Sequence, residues 1–129
     1  MYKIQGTIKE GFTTTAVTSS GGEYRMFIEE NIDGPMDLFS VAYVGCISMC
    51  AKGYFVRTYA LKNLQLNVEL TVDYDNKKIV ADIYVDRTEE QLVNGDRQGV
   101  LDNIKLRCKV SHLLTSDLDI NYNVKRLKK

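Results

Sequence analysis

Hydrophobic and polar residues alternate along the first part of the chain. Tyr2, Ile4 and Ile8 share one parity, against Lys3, Gln5 and Lys9 on the other, which is the two-residue period of a half-buried strand. Glu10-Gly11 marks a turn, and the Thr- and Val-rich segment from Phe12 to Ser19 has the composition of a second strand. After the turn signal Ser20-Gly21-Gly22, Tyr24, Met26 and Ile28 alternate with Arg25, Phe27 and Glu29 as a third strand. Strands joined by such short turns predict an antiparallel meander.

The period changes after Asn31-Ile32-Asp33-Gly34-Pro35. From Met36 to about Thr58 apolar residues recur on every side of a helix, and the first charge after Asp37 is Lys52. Pro35 suits the first helical turn, where its missing N–H costs nothing, and Asp37 suits the positive end of the helix dipole. A helix apolar all round must be buried all round. In a chain of 129 residues that predicts a partner chain over one face.

Alternation then returns. Leu64, Leu66, Val68, Leu70, Val72 and Tyr74 oppose Gln65, Asn67, Glu69, Thr71 and Asp73; Asp75-Asn76-Lys77-Lys78 turns the chain; Ile79, Ala81, Ile83 and Val85 come back as the hairpin partner. Thr88-Glu89-Glu90-Gln91 has the form of a capping box, and Val100, Leu101, Ile104 and Cys108 follow at helical spacing. Asn94-Gly95 and Gly99 interrupt this segment, so two helix starts stay open, one at the box and one at Asp96. Leu118, Ile120, Tyr122 and Val124 alternate as a last strand. The expected fold is α+β, with antiparallel sheets around a long buried helix, in a single domain spanning 1–129.

Composition narrows the chemistry. Hydrophobic residues make up 44% and charged residues 26%, the balance of a globular domain rather than a disordered chain. Lys plus Arg and Asp plus Glu are each 17, which leaves no net field to attract nucleic acid or an anionic membrane. The uncharged run Leu38 to Ala51 is shorter than a membrane span of about 20 residues and suits a core helix. Met1-Tyr2-Lys3-Ile4 lacks the pattern of a signal peptide, and Lys125 to Lys129 reads as a solubilising end. The expectation is a cytoplasmic protein with neither membrane nor nucleic acid as partner.

Three cysteines are too few, and odd in number, for a secreted disulfide scaffold. Cys46 and Cys50 lie one turn apart in the apolar helix, and Cys108 ends the second helix. Two readings of Cys46 and Cys108 stand open. They are small buried hydrophobes, or they are a redox pair in which one thiolate is oxidised to a sulfenic acid and the other condenses with it. Cys50 reads as a buried hydrophobe. It is a poor partner for Cys46, because an intact helix holds such Cβ atoms about 5–6 Å apart and a disulfide needs about 3.8 Å. A zinc set of Cys46, Cys50, Cys108 and His112 is conceivable, but structural zinc usually takes ligands from tight C-x(2–4)-C turns. His112 reads better as a surface or cap residue. With one histidine and no hydrolase or phosphate-loop motif, no metal and no cofactor is expected.

The segment Gly34-Pro35-Met36-Asp37-Leu38-Phe39-Ser40-Val41-Ala42-Tyr43-Val44-Gly45-Cys46-Ile47-Ser48-Met49 resembles the central-helix motif of the OsmC/Ohr family, the osmotically inducible and organic hydroperoxide resistance proteins. Cys108-Lys109-Val110-Ser111-His112-Leu113-Leu114 is similar to the family's Cys-Pro-Val-Ser-x-x-Leu. The order of elements agrees over nearly the whole chain. The resemblance implies an intertwined homodimer with central helices between two sheets. It also implies a thiol peroxidase for organic hydroperoxides, with Cys46 peroxidatic, Cys108 resolving and an external thiol as reductant. The alternative is a dimer with a degenerate site, acting as a hydrophobic-ligand binder or redox sensor.

Two departures bear on the site. The family places a glutamate just after the helix-start proline; here that position is Met36, and Asp37 is the acidic neighbour. The family also places an arginine on the strand before the helix. Counting back from Leu38 lands on Met26, one residue from Arg25, and a one-residue offset turns a strand side chain to the other face. Either an insertion in the Asn31–Gly34 loop restores Arg25 as the activating cation, or Arg25 is a solvated strand residue. Arg57 lies about 16 Å along the helix from Cys46, at 1.5 Å per residue, too far to serve it within one chain.

Overall fold

The alternating segments form strands and the apolar segment forms one long helix. The computed structural model describes residues 2–9, 11–28 and 33–128. The expected turn residue Glu10, Glu29 at the end of the third expected strand, and Asn31-Ile32 of the loop lie outside these. Two compact units divide the chain, Met1–Val41 and Ala42–Lys129.

In the first unit, β1 (Ile4–Ile8), β2 (Thr14–Thr18) and β3 (Glu23–Met26) form an antiparallel sheet in that order, with Gln5 opposite Val17 and Thr15 opposite Arg25. The third strand stops earlier than its pattern predicts, where the Phe27 N–H leaves the ladder and donates to the Asp33 carbonyl at 3.1 Å. None of the described residues up to Val41 is buried. The helix α1 (Pro35–Tyr59) starts here as expected: Pro35 occupies the first turn, and the Asp37 carboxylate accepts the Gly34 N–H at 2.8 Å.

The second unit contains the core. β4 (Leu66–Asp73) and β5 (Lys78–Val85) form the expected hairpin, with Leu70 opposite Ala81. Its turn is held by Asp73, which accepts both the Asn76 N–H and its side-chain amide. β6 (Asp119–Arg126) lies on the other side of β5 and runs parallel to it, Ala81 beside Tyr122. This corrects the expectation of purely antiparallel sheets. A helical crossover separates β5 from β6 in the chain, and such a connection returns a strand in the same direction. The pairing aligns Ile79, Ala81, Ile83 and Val85 with Ile120, Tyr122 and Val124 on one face, where the β5 residues and Val124 are buried.

Opposite that face α1 buries one stripe, Tyr43, Ile47, Ala51 and Phe55, at the four-residue spacing of neighbouring helical turns. Burial on every side does not occur within one chain: Val41 is 66% and Met49 76% exposed. By length and composition alone α1 is long and apolar enough to cross a membrane; the residues it buries within one chain are the stripe just named.

Both expected starts of the second helical segment occur. The Thr88–Gln91 capping box is complete at the head of α2 (Glu89–Gln91). The chain then makes a wide turn over Leu92–Asp96, with Gly95 at φ 138°, a conformation glycine adopts without a Cβ clash. It restarts as α3 (Arg97–Arg107). A short α4 (Lys109–His112) follows Cys108.

The turn carries one buried carboxylate. Asp96, 1% exposed, accepts hydrogen bonds from Tyr59 at 2.7 Å, Tyr54 at 3.0 Å and Arg87 Nε at 2.8 Å. Arg87 also lies over the Tyr59 ring, 4.9 Å from its centroid. Burial opposes the Asp96 charge, but the Tyr59, Arg87 and Tyr54 donors outweigh it and hold the carboxyl below its ordinary range. The end of α1 is thereby tied to the start of α3. Gly99 completes the joint, because a Cβ there would stand 1.9 Å from the Tyr54 ring.

A three-thiol candidate site

The helix stripe and the crossover together place the cysteines. Cys46 and Cys50 lie one turn apart on α1, beside the buried residues Ile47 and Ala51. Cys108 sits at the break between α3 and α4, with φ −76° and ψ 95°. Its face is already buried, since Val100 and Ile104 precede it at four-residue intervals and all three are fully covered. Asn103, on the intervening turn of α3, donates to the Cys50 carbonyl and accepts from Arg57 at 2.7 Å. The two cysteine-bearing helices are thus clamped at the level of the thiols.

The result is a cluster of three free thiols. Cys108 Sγ donates to Cys46 Sγ at 3.2 Å, across 62 residues of sequence. The Cys50 sulfur joins them, so that all three lie within 4.8 Å of one another. The spacing between the two helices' cysteines was legible in the sequence as two motifs; that they meet was not. Cys50, a buried hydrophobe by its sequence pattern, is part of the cluster. The signal was present in its one-turn separation from Cys46, which puts both sulfurs over the same patch of helix surface.

The thiols are unlike electrostatically. Burial works against a Cys46 thiolate. The Val110 N–H, the Cys108 and Cys50 thiols and the Lys109 N–H favour it more strongly, so Cys46 lies below the ordinary thiol value. Burial and the neighbouring Cys46 and Cys108 push Cys50 up to about 11. Burial also raises Cys108, against hydrogen bonds from Ser111. Behind the sulfurs, Tyr43 and Tyr122 share a hydrogen bond between their hydroxyls. Burial raises both phenols, which stay protonated beside the thiols. Neither tyrosine is distinguishable from a core aromatic in its sequence pattern.

Of the other expected site residues, Arg25 is on β3 and Asp37 caps the first turn of α1, both in the first unit. His112 is exposed, with Nε2 2.6 Å from the Lys105 carbonyl, as a cap residue would be. A groove of about 600 Å³ runs along α1 between Ser48 and Arg57 and is closed by Leu64, Gln65 and Leu66; none of its lining residues is a cysteine.

No protein-family model and no curated protein sequence matches the chain. Solved structures do. An OsmC-like protein from Mycoplasma pneumoniae superposes with a TM-score of 0.70 at 17% identity, over 99% of this chain and 98% of that one. An organic hydroperoxide resistance protein OsmC from Legionella pneumophila, described as a predicted redox protein, gives 0.69 at 13% identity over 97% and 96%. The organic hydroperoxide resistance protein OhrB of Bacillus subtilis gives 0.61 at 12% identity over 97% and 98%. At these identities the likeness is one of fold, and it covers 97% or more of this chain in each case. The chain has the fold of the OsmC and Ohr proteins.

Proposed function

We propose that this protein is a thiol-dependent reductase of organic hydroperoxides, a single-domain member of the OsmC/Ohr family acting as a homodimer in a reducing cytoplasm. The observation that carries the reading is the 3.2 Å approach of Cys108 Sγ to Cys46 Sγ. In the first step the Cys46 thiolate attacks the terminal oxygen of the hydroperoxide. The O–O bond breaks, the alkoxide leaves and takes up a proton from solvent to become the alcohol, and Cys46 becomes a sulfenic acid. The Cys108 sulfur then attacks the Cys46 sulfur, expels the hydroxyl as water and forms a disulfide. An external dithiol returns both to thiols and is itself oxidised to a disulfide. The lowered Cys46 and raised Cys108 support this division of labour, since the attacking species is a thiolate.

A second chain is inferred from what one chain leaves uncovered. A three-stranded sheet with no buried residue needs another surface to pack on, and the exposed Val41 and Met49 offer apolar area on α1. For Arg25 and Asp37 the proposal adopts the roles that the resemblance implies, an activating cation and the acidic residue of the helix start. Arg25→Met then slows alkylation of Cys46 at pH 7. The groove along α1 favours a second reading, in which the protein holds an apolar ligand.

The decisive experiment is the thiol titre before and after cumene hydroperoxide. The proposal expects rapid loss of two thiols per chain in the parent, and no peroxide consumption by Cys46→Ser. Cys108→Ser should consume about one equivalent per chain and accumulate a dimedone-reactive sulfenate. Thiols that ignore the hydroperoxide would leave the ligand-binding reading in its place.

A further inference from the structure

The position of Cys50 is not needed for a two-cysteine cycle. We infer that Cys46, Cys50 and Cys108 form a three-thiolate binding site for a soft, closed-shell cation, and that Cu(I) is the ion it fits. The inference stands on the arrangement of the sulfurs and does not depend on the peroxide reading.

Geometry comes first. Three sulfurs around one ion at about 2.3 Å, the length of a zinc–thiolate bond, stand about 4.0 Å apart when the ion lies in their plane. Here all three lie within 4.8 Å of one another. The closest approach, 3.2 Å, has to open by less than about 1 Å, which a turn of roughly 30° about one Cα–Cβ bond supplies. The scaffold is rigid where it matters. Two sulfurs come from adjacent turns of α1, and the third from a break in the chain fixed between α3 and α4. Asn103 ties α3 to the carbonyl of Cys50 itself.

Donor chemistry selects the ion. The cluster offers sulfur alone, and thiolates favour Cu(I) and other soft ions over Mg²⁺, Ca²⁺ or Mn²⁺. Zinc prefers four ligands. The histidine that would complete a Cys3His set is His112, whose Nε2 stands against the Lys105 carbonyl. Three-coordination by sulfur leaves no position unfilled for Cu(I). Each thiol gives up its proton on binding, so uptake releases protons. Because the ion holds both sulfurs of the Cys46–Cys108 pair, bound metal and disulfide exclude one another.

The test titrates the fully reduced protein anaerobically with Cu(I) against bicinchoninate as competitor. One Cu(I) per chain is expected, with X-ray absorption reporting three sulfur neighbours. Cys50→Ala and Cys50→Ser should each weaken binding by roughly tenfold or more, since even outer partners of metal ligands are worth 10–100-fold. A second arm needs no variant: diamide oxidation of the parent should abolish uptake and reduction should restore it. The inference is overturned if bicinchoninate keeps all the copper, or if both Cys50 variants bind as tightly as the parent. It is also overturned if Zn(II) alone is retained, or if the diamide-treated disulfide form still takes up Cu(I).

Discussion

Asp96→Asn tests whether the buried carboxylate joins the two cysteine-bearing helices. The substitution keeps shape and leaves one oxygen for the Tyr54 and Tyr59 hydroxyls. It removes the charge opposite Arg87, whose side chain is only 15% exposed. Breaking a buried ion pair from one side costs about 3–5 kcal/mol, and the partial exposure of Arg87 argues for the lower end, about 3 kcal/mol. With an unfolding entropy of about 2.1 cal/mol/K per residue, this lowers Tm by roughly 11 °C for a chain of this length. The pH dependence identifies the cause. The Asp96 carboxyl is held below its ordinary range in the folded state, so its stabilisation is complete above the unfolded value of about 3.9. It is lost as pH falls from there through the folded value. Denaturant unfolding of parent and variant should therefore differ by a constant amount between pH 5 and 8 (a range well above about 3.9) and converge below about pH 4. A gap under about 1 kcal/mol at neutral pH, or one that persists undiminished in acid, would refute the reasoning. Disulfide formation between Cys46 and Cys108 should also slow in the variant, because the joint sets how the helices meet.

Gly99→Ala should lower the unfolding free energy by about 1–3 kcal/mol, because the new methyl displaces the Tyr54 ring; a gain of about 1 kcal/mol from helix propensity would show that the ring yields freely. Brief iodoacetamide treatment at neutral pH, mapped by mass spectrometry, should label Cys46 ahead of Cys50, which is pushed up to about 11, and ahead of the fully buried Cys108; the reverse order would contradict the electrostatics described. Sedimentation at micromolar protein should find a dimer whose unfolding depends on concentration, and a stable folded monomer of 14.7 kDa would exclude it.

Period and turn chemistry made the elements legible. The alternation from Leu66 to Val85 gave the hairpin and its faces, and Thr88 with Gln91 gave the helix cap. Direction was harder. The Leu118–Val124 pattern reads the same whether the strand runs with or against β5, and only the crossover decides. Helix burial is a related matter: hydropathy states which residues avoid water, not whether their cover comes from the same chain, and Val41 and Met49 are apolar positions that one chain leaves exposed. At the site, two cysteine motifs could be seen, but the meeting of Cys46 with Cys108 depends on how α1 and α3 dock. Asp96 could not be anticipated at all. Nothing local distinguishes it from a surface carboxylate until Arg87, Tyr54 and Tyr59 arrive from elsewhere in the chain.

The meeting of Cys108 with Cys46 across 62 residues of sequence makes sulfur chemistry report on chain closure. Cys46 is placed by α1, a local element, whereas its contact with Cys108 has the β4–β5 hairpin and the α2–α3 segment between the two cysteines in the chain. Contacts of such long sequence separation bear the entropy of closing the intervening loop, and they form late. A nascent or partly unfolded chain thus carries three independent, ordinary thiols, and the finished one carries a single coupled group. Pulsed alkylation during refolding would follow that change directly, as the moment when Cys108 and Cys46 cease to react separately.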